Sequence, residues 1–381
     1  MRTSTERILT THVGSLPRSQ AVTDVLFARE HGEIKDEAAA AQVISDAVEA
    51  VVKRQTAAGV DVVSDGEMSK ISYATYIADR FTGFAGDTPR DPGQDLVEFP
   101  QLLEKLAKLG STAKYRRPRC VGEIRNKTFA PLEEDLRNFA RGVAAGAPTD
   151  AFLNAASPGV IALFQPNDFY QTADEYLEAV AEALRGEYEA IVAAGYLLQI
   201  DAPDLGMGRH TMYRNATVAE YLARAEHHVE VLNHALRNVP ASRLRMHCCW
   251  GNYEGPHHHD VPMRDLLPVL LKAKPQALLF EAANPRHAHE WTVFRDARLP
   301  DDKILIPGVL SSTTNYVEHP ELVAERLLRF ADIVGRERIM AGSDCGFSTF
   351  AGFGAVVPDI VYMKLAAMAE GARLASRKLW G

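Results

Sequence analysis

Short runs of branched and aliphatic residues recur along this chain, separated by longer stretches in which apolar side chains return every three to four positions. The runs LTTHVG at 9–14, VDVVSD at 60–65, DAFLNA at 150–155 and YLLQID at 196–201 have the length and composition of buried strands. RLRMHCC at 243–249, ALLFEA at 277–282, ILIPGV at 304–309 and RIMAGS at 338–343 continue the series. The Ala- and Leu-rich segments between them, 172–194 and 217–237 among others, predict helices. Alternation of strand and helix implies parallel pairing through helical crossovers, and eight such units close into an α/β (β/α)8 TIM barrel.

One segment breaks the rhythm. Residues 82–135 hold the turn-rich DTPRDPG, the short helical QLLEKLAKLG, and RPRCVGEIRNK, which predicts a small hairpin. They form an expected insertion between the second and third strands, covering the barrel mouth within a single catalytic domain spanning 1–381. No internal repeat or low-complexity tract interrupts the chain.

A net charge of -8 argues against nucleic acid or an acidic membrane as the main partner. No apolar run is long enough for a secretory signal or a membrane span, so a cytoplasmic enzyme is expected. Only four cysteines occur, Cys120, Cys248, Cys249 and Cys345. So few suit a reducing compartment, where cysteine serves catalysis or metal binding more often than cross-linking.

Two of those cysteines are adjacent, beside a histidine. Side chains alternate along a strand, so His247 and Cys249 point one way and Cys248 the other. Glu281 and Cys345 end later strands, and the C-terminal ends of barrel strands share one mouth. Imidazole, two thiolates and a carboxylate make a tetrahedral set suited to zinc. Such an ion lowers the pKa of a thiol that joins it, which points to alkyl transfer onto sulfur. A buried free cysteine is otherwise a small hydrophobe. GPHHHD, with His257, His258 and His259, suggests metal too, but three successive side chains of a Gly/Pro loop cannot all converge, which favours a loop role.

These residues carry a resemblance. THVGSLPR at 11–18, DVVSDGE at 61–67, LQIDAPDL at 198–205, MHCCWG at 246–251, FEA at 280–282 and SDCGFST at 343–349 resemble the catalytic C-terminal barrel of cobalamin-independent methionine synthases. The resemblance covers nearly the whole chain and lacks that family's additional N-terminal barrel. It implies zinc held by His247, Cys249, Glu281 and Cys345. It also implies a homocysteine site in which Ser15 and the backbone near Val13 meet the carboxylate, and Glu67 and Asp201 meet the ammonium.

The chain departs from the family on the donor side. The Trp-Ser pair against which the folate pterin stacks is replaced within NAASPGVIALF, where Phe164 is the nearest aromatic. Thr313, in GVLSSTTNY, stands where the family has a proton-donating histidine. The expected partners are therefore a small thiol acceptor and a donor other than folate, such as a methyl-sulfonium, a methyl-corrinoid protein or an epoxide. A related branch, the epoxyalkane:coenzyme M transferases, would instead add a sulfonate-bearing thiol to an epoxide, with Arg18, Arg209 and Arg286 as candidate sulfonate partners. The remaining alternatives are a non-catalytic zinc-bearing, metabolite-binding barrel and a metal-free barrel resembling uroporphyrinogen decarboxylase.

Overall fold

The computed structural model describes residues 1–89, 92–109 and 116–381. Arg90 and Asp91 of DTPRDPG, and Gly110 at the end of QLLEKLAKLG, lie outside them. Among the described residues ten strands are formed: β1 (Leu9–Thr10), β2 (Val62–Val63), β3 (Phe84–Ala85), β4 (Arg119–Cys120), β5 (Asp150–Ala156), β6 (Leu197–Asp201), β7 (Leu244–Cys248), β8 (Ala277–Phe280), β9 (Ile304–Leu310) and β10 (Met340–Ser343). Eight of them make one parallel sheet in the order β1-β10-β9-β8-β7-β6-β5-β2. Helices lie between successive strands, and the fold is the (β/α)8 barrel that the alternation predicts.

At the remaining seam, side chains reinforce the backbone. The Asp61 N–H donates to Thr10 O (3.1 Å). The Thr10 N–H and hydroxyl both donate to Asp61 Oδ2, at 2.9 and 3.2 Å. The Thr11 hydroxyl donates to Val62 O (2.9 Å). The ladders of β1 with β10 and of β2 with β5 are only two residues long, much shorter than the runs at 9–14 and 60–65.

Strand parity divides the core in two. Leu9, Val62, Phe152, Leu197, Leu279, Ile306 and Met340 fill the barrel interior. Leu153, Leu198, Met246, Leu278 and Leu305 face the helices. The interior also holds a charge: the Arg245 guanidinium lies 3.9 Å from the centre of the Phe152 ring. It donates to Thr11 Oγ1 (2.9 Å) and His12 O (2.8 Å). Burial pulls its pKa down to about 9.

The helices begin where the sequence supplies caps. Thr172 with Glu175, and Thr217 with Glu220, close reciprocal capping boxes ahead of helices Ala173–Ala193 and Val218–Ala235. No helix among the described residues is long and apolar enough to cross a membrane.

Between β2 and β5 the chain forms short helices at Ile77–Arg80, Gln94–Val97 and Pro100–Leu109. RPRCVGEIRNK does not fold back on itself as the expected hairpin. Its Arg119–Cys120 pairs antiparallel with Phe84–Ala85, and Asn126 bridges Phe81. The partner strand has only two residues, too short to announce itself as an apolar run. Helix Ala130–Gly146 runs through the expected boundary at 135.

Candidate metal and substrate site

The site is built where β7 and β10 end. On β7, Arg245 and His247 point inward while Met246 and Cys248 point into the layer between sheet and helices. Cys249, one residue beyond the strand, is inward again. Cys345 reaches the same place by a different device. The register of β10 against β9 shifts between Gly342 and Ser343. That bulge moves the inward parity from Met340 to Ser343 and Cys345, so the Ser343 hydroxyl meets the Val13 N–H (3.2 Å) and Cys345 faces the barrel mouth.

His247, Cys249 and Cys345 are all buried, and one ligand atom from each lies within 4.8 Å of the others. The two sulfurs are 4.0 Å apart. They share one proton: the Cys345 S–H donates to Cys249, which lowers the Cys249 pKa well below the usual thiol value and raises that of Cys345 well above it. Burial disfavours a charged His247, but the Cys249 charge outweighs it and the imidazole sits above its ordinary pKa. Neither ring nitrogen of His247 makes a well-directed hydrogen bond, although the Cys249 sulfur stands beside the ring. A buried imidazole so placed is costly unless something else takes its lone pair.

Glu281 stands beside this group and outside its tight cluster. Its Oε1 accepts from the Trp250 N–H (2.8 Å) and its Oε2 from Asn284 Nδ2 (2.6 Å). Desolvation raises its pKa to about 8, helped by the nearby Cys249 thiolate. The turn after Glu281 is held by Asp344, whose Oδ1 accepts the N–H groups of Ala282 and Ala283 and whose Oδ2 accepts that of Asn284, each at 2.8 Å.

A cavity of about 1000 Å³ opens above the cluster; Val13, Ser15, Glu67 and Asp201 line it together with His247, Cys249 and Cys345. Leu96, Leu103 and Leu106, between β3 and β4, form part of its wall. Asp201 ends β6 and accepts two amides: Asn154 Nδ2 on Oδ2 and Gln199 Nε2 on Oδ1, each at 2.8 Å. The same two amide nitrogens also donate to the Val13 carbonyl. With its N–H on Ser343 and its C=O on these amides, the Val13 backbone has no group left for a substrate carboxylate.

Glu67 has a left-handed backbone (φ 57), after Gly66 (φ 65). A non-glycine residue in that region is held there by its surroundings and is a common mark of functional sites. Desolvation raises its pKa to about 8, with the nearby Asp201 charge as the next cause. Its Oε2 is buried without a hydrogen-bond partner. The nearest cation, Arg18, stands 3.8 Å away and spends its donors on Glu67 O, Ser348 O and the Ser348 hydroxyl. Burial also raises the Asp201 pKa. Two buried carboxylates thus face one cavity, with Arg18 and Lys70 as the cations nearest Glu67 and His247 that nearest Asp201.

Sequence reasoning missed Asn154, Gln199 and Asp344, which position the others. Their signal was present: Asn154 and Gln199 are polar residues at inward strand positions, where an apolar residue is the default. Tyr73 was also missed, and its ring lines the cavity close to Cys249 and Asp201. Phe164 and Thr313 lie in the same wall. Among the described residues, Arg18, Arg209 and Arg286 do not line it. His257 turns away towards Asp260 (3.0 Å), while His258 and His259 lie outside on Glu98.

An inward His-x-Cys pair, a late cysteine and two carboxylates at one barrel mouth make a barrel whose mouth could hold a metal ion. Residues 8–91 and 159–369 match the family described as "Cobalamin-independent synthase, Catalytic domain", and the chain belongs to that family. It is 26% identical over 377 residues to the methionine synthase of Saccharolobus solfataricus, covering 97% of this chain and 95% of that protein. Against a methionine synthase of Saccharolobus islandicus the identity is 28%, with the same coverage. The fold is similar to that of a B12-independent methionine synthase from Shewanella sp. W3-18-1 solved with selenomethionine, at a TM-score of 0.70 and 17% identity, covering 98% of this chain and 99% of that one.

Proposed function

We propose that this protein is a zinc-dependent methyltransferase that methylates the sulfur of homocysteine, drawing on a donor other than folate. The observation that carries the reading is the sharing of one cavity by the His247–Cys249–Cys345 cluster and the Glu67–Asp201 pair. A small thiol that also bears an ammonium matches both halves at once. The methionine synthases to which the chain is similar support the acceptor.

The cluster suits zinc on its own geometry. Tetrahedral Zn–S arms of about 2.3 Å place two sulfurs about 3.8 Å apart, and these stand 4.0 Å apart. The His247 nitrogens supply a third donor. Glu281 would complete the set after giving up its bond from Trp250 or Asn284. Zinc held here would keep the substrate thiol as thiolate at neutral pH.

The chain's own residues then position that thiol. Glu67 and Asp201 take the ammonium, and Ser15 offers its hydroxyl and N–H to the carboxylate. In the transfer, a sulfur lone pair forms the S–CH3 bond as the donor–CH3 bond breaks, and its electron pair leaves with the donor. A donor that departs neutral needs no protonation, which fits Thr313 at the position of the family's histidine. The chain's three tryptophans, Trp250, Trp291 and Trp380, all lie off the cavity wall, so no indole awaits a pterin. The aromatic rings on that wall are those of Phe164, Phe350, Phe353, Tyr73, Tyr253 and Tyr316.

The test is single turnover of zinc-loaded protein with homocysteine and, in parallel, methyltetrahydrofolate, a methyl-sulfonium and a methyl-corrinoid, with methionine measured by mass. Methionine from a non-folate donor is expected. Alkylation of coenzyme M by an epoxide, with homocysteine inert, would overturn the reading.

A further inference from the structure

The GPHHHD loop leaves two imidazoles that the mouth cavity does not use. His257 has a left-handed backbone (φ 53) and turns inward. Its Nδ1 lies 3.0 Å from Asp260 Oδ2 and its Nε2 donates to Tyr253 O (3.0 Å). That turn separates it from its two successors. His258 and His259 both swing outward and converge on one carboxylate: the Nε2 of each lies 2.7 Å from a separate oxygen of Glu98. Their ring centres are 4.1 Å apart. Glu98 comes from another part of the chain, at the C-terminal end of helix Gln94–Val97.

We propose that Glu98, His258 and His259 form a second metal site on the outer rim of the mouth, selective for a borderline divalent ion such as zinc, cobalt or nickel. One ligand atom from each already lies within 4.8 Å of the others. Two imidazoles and one carboxylate, with open positions left to water, are a donor set that binds such ions. Metal–ligand arms of about 2.0–2.1 Å need ligand atoms about 3.3 Å apart in a tetrahedral shell. The present 2.7 Å contacts must open by roughly half an ångström. All three side chains are partly exposed, which leaves them room to do so. Without an ion, half-exposed pairs of this kind contribute little.

The site would join two segments that build the cavity wall. The loop carrying His258 and His259 follows directly from Cys249, and Glu98 ends the helix that carries Leu96. The same segments already meet on their inner side, where Asp95 Oδ2 accepts from the Tyr253 hydroxyl (2.7 Å) and the His257 N–H (3.1 Å). An ion at the rim adds an outer clasp to that inner contact and fixes the wall on which Leu96 and Tyr253 face the cavity.

Apo-protein equilibrated with micromolar cobalt(II), then passed through a desalting column, tests this by elemental analysis. The His258→Ala/His259→Ala variant should hold about one ion per chain fewer than wild type, with unchanged circular dichroism. The thiolate-to-cobalt absorption of the inner cluster should be the same in both. Hydrogen exchange of amides 93–99 should slow on cobalt addition in wild type and not in the variant. Equal cobalt content in the two proteins, or equal protection of those amides, would overturn the second site whatever the inner cluster does.

Discussion

Asp201→Asn separates what holds the barrel from what holds the substrate. In the folded protein, the carboxylate accepts one amide on each oxygen. Both amides also donate to the Val13 carbonyl, so neither can flip to suit a new neighbour. Asparagine would turn one acceptor into a donor and lose one charged hydrogen bond, at a cost of about 1.5–3 kcal/mol. Opposing this, burial and the Cys249 thiolate already disfavour the charge at Asp201, and the substitution removes that penalty. The two effects oppose each other, and we expect a net loss of about 1 kcal/mol or less, within the range of ordinary substitutions.

Binding has no such compensation. A substrate ammonium loses a charged partner, and about 1.5–3 kcal/mol corresponds to roughly 10- to 150-fold in Kd. Calorimetric titration of zinc-loaded wild type and variant with homocysteine reads this directly. 4-Mercaptobutanoate, the same thiol without the ammonium, is the control and should bind both alike. An unchanged homocysteine Kd, or an equal loss for both ligands, would refute the ammonium role of Asp201.

Cys249→Ser and Cys345→Ser should each lose the zinc of the inner cluster, read by elemental analysis as about one ion per chain fewer than wild type, whereas Cys248→Ser, facing the helices, should keep it and cost about 1–3 kcal/mol in urea unfolding for a buried hydroxyl. If Thr313 supplies no general acid and no cavity ring replaces the tryptophan, as the proposed function holds, methyltetrahydrofolate should transfer its methyl group roughly 100-fold or more slowly than an activated sulfonium; comparable single-turnover rates would show otherwise. Burial lowers the pKa of His257 and His287, but hydrogen bonds to Asp260 overcome it and hold them up at about 9 and about 10. Raised values stabilise the fold fully below the unfolded pKa of about 6.5, and that contribution drains away as pH climbs through 9 to 10. The urea midpoint of apo-protein should therefore fall between neutral pH and about pH 10, and Asp260→Asn should flatten the decline.

The eight barrel strands were legible because each is an apolar run between helical periodicities. The inward parity of His247 and Cys249 followed from strand geometry alone. Other features needed three dimensions. A bulge between Gly342 and Ser343 turns Cys345 inward, and nothing in AGSDCG marks it. The partner of Arg119–Cys120 is a two-residue strand that carries no pattern. Glu281 reads as a free ligand in FEAAN, yet the Trp250 N–H and Asn284 side chain occupy its oxygens. The Val13 backbone reads as available in THVGS, yet two amides from β5 and β6 converge on it. Long runs speak for themselves; short contacts between distant segments do not.

The order in which the strands are synthesised bears on how the site matures. β1 takes its ladder from β10 (Leu9 opposite Met340), and Cys345 lies 96 residues after Cys249. At translation rates of about 5–20 residues per second, the growing chain carries His247 and Cys249 for roughly 5–20 s before their partner is made. During that interval β1 has no strand on its β10 side. A single late segment, 340–345, then supplies both the missing barrel stave and the last thiol. Tight metal capture by the inner cluster and barrel closure should coincide in the nascent chain, and a ribosome stalled before residue 340 should display neither protease resistance nor zinc retained on His247 and Cys249.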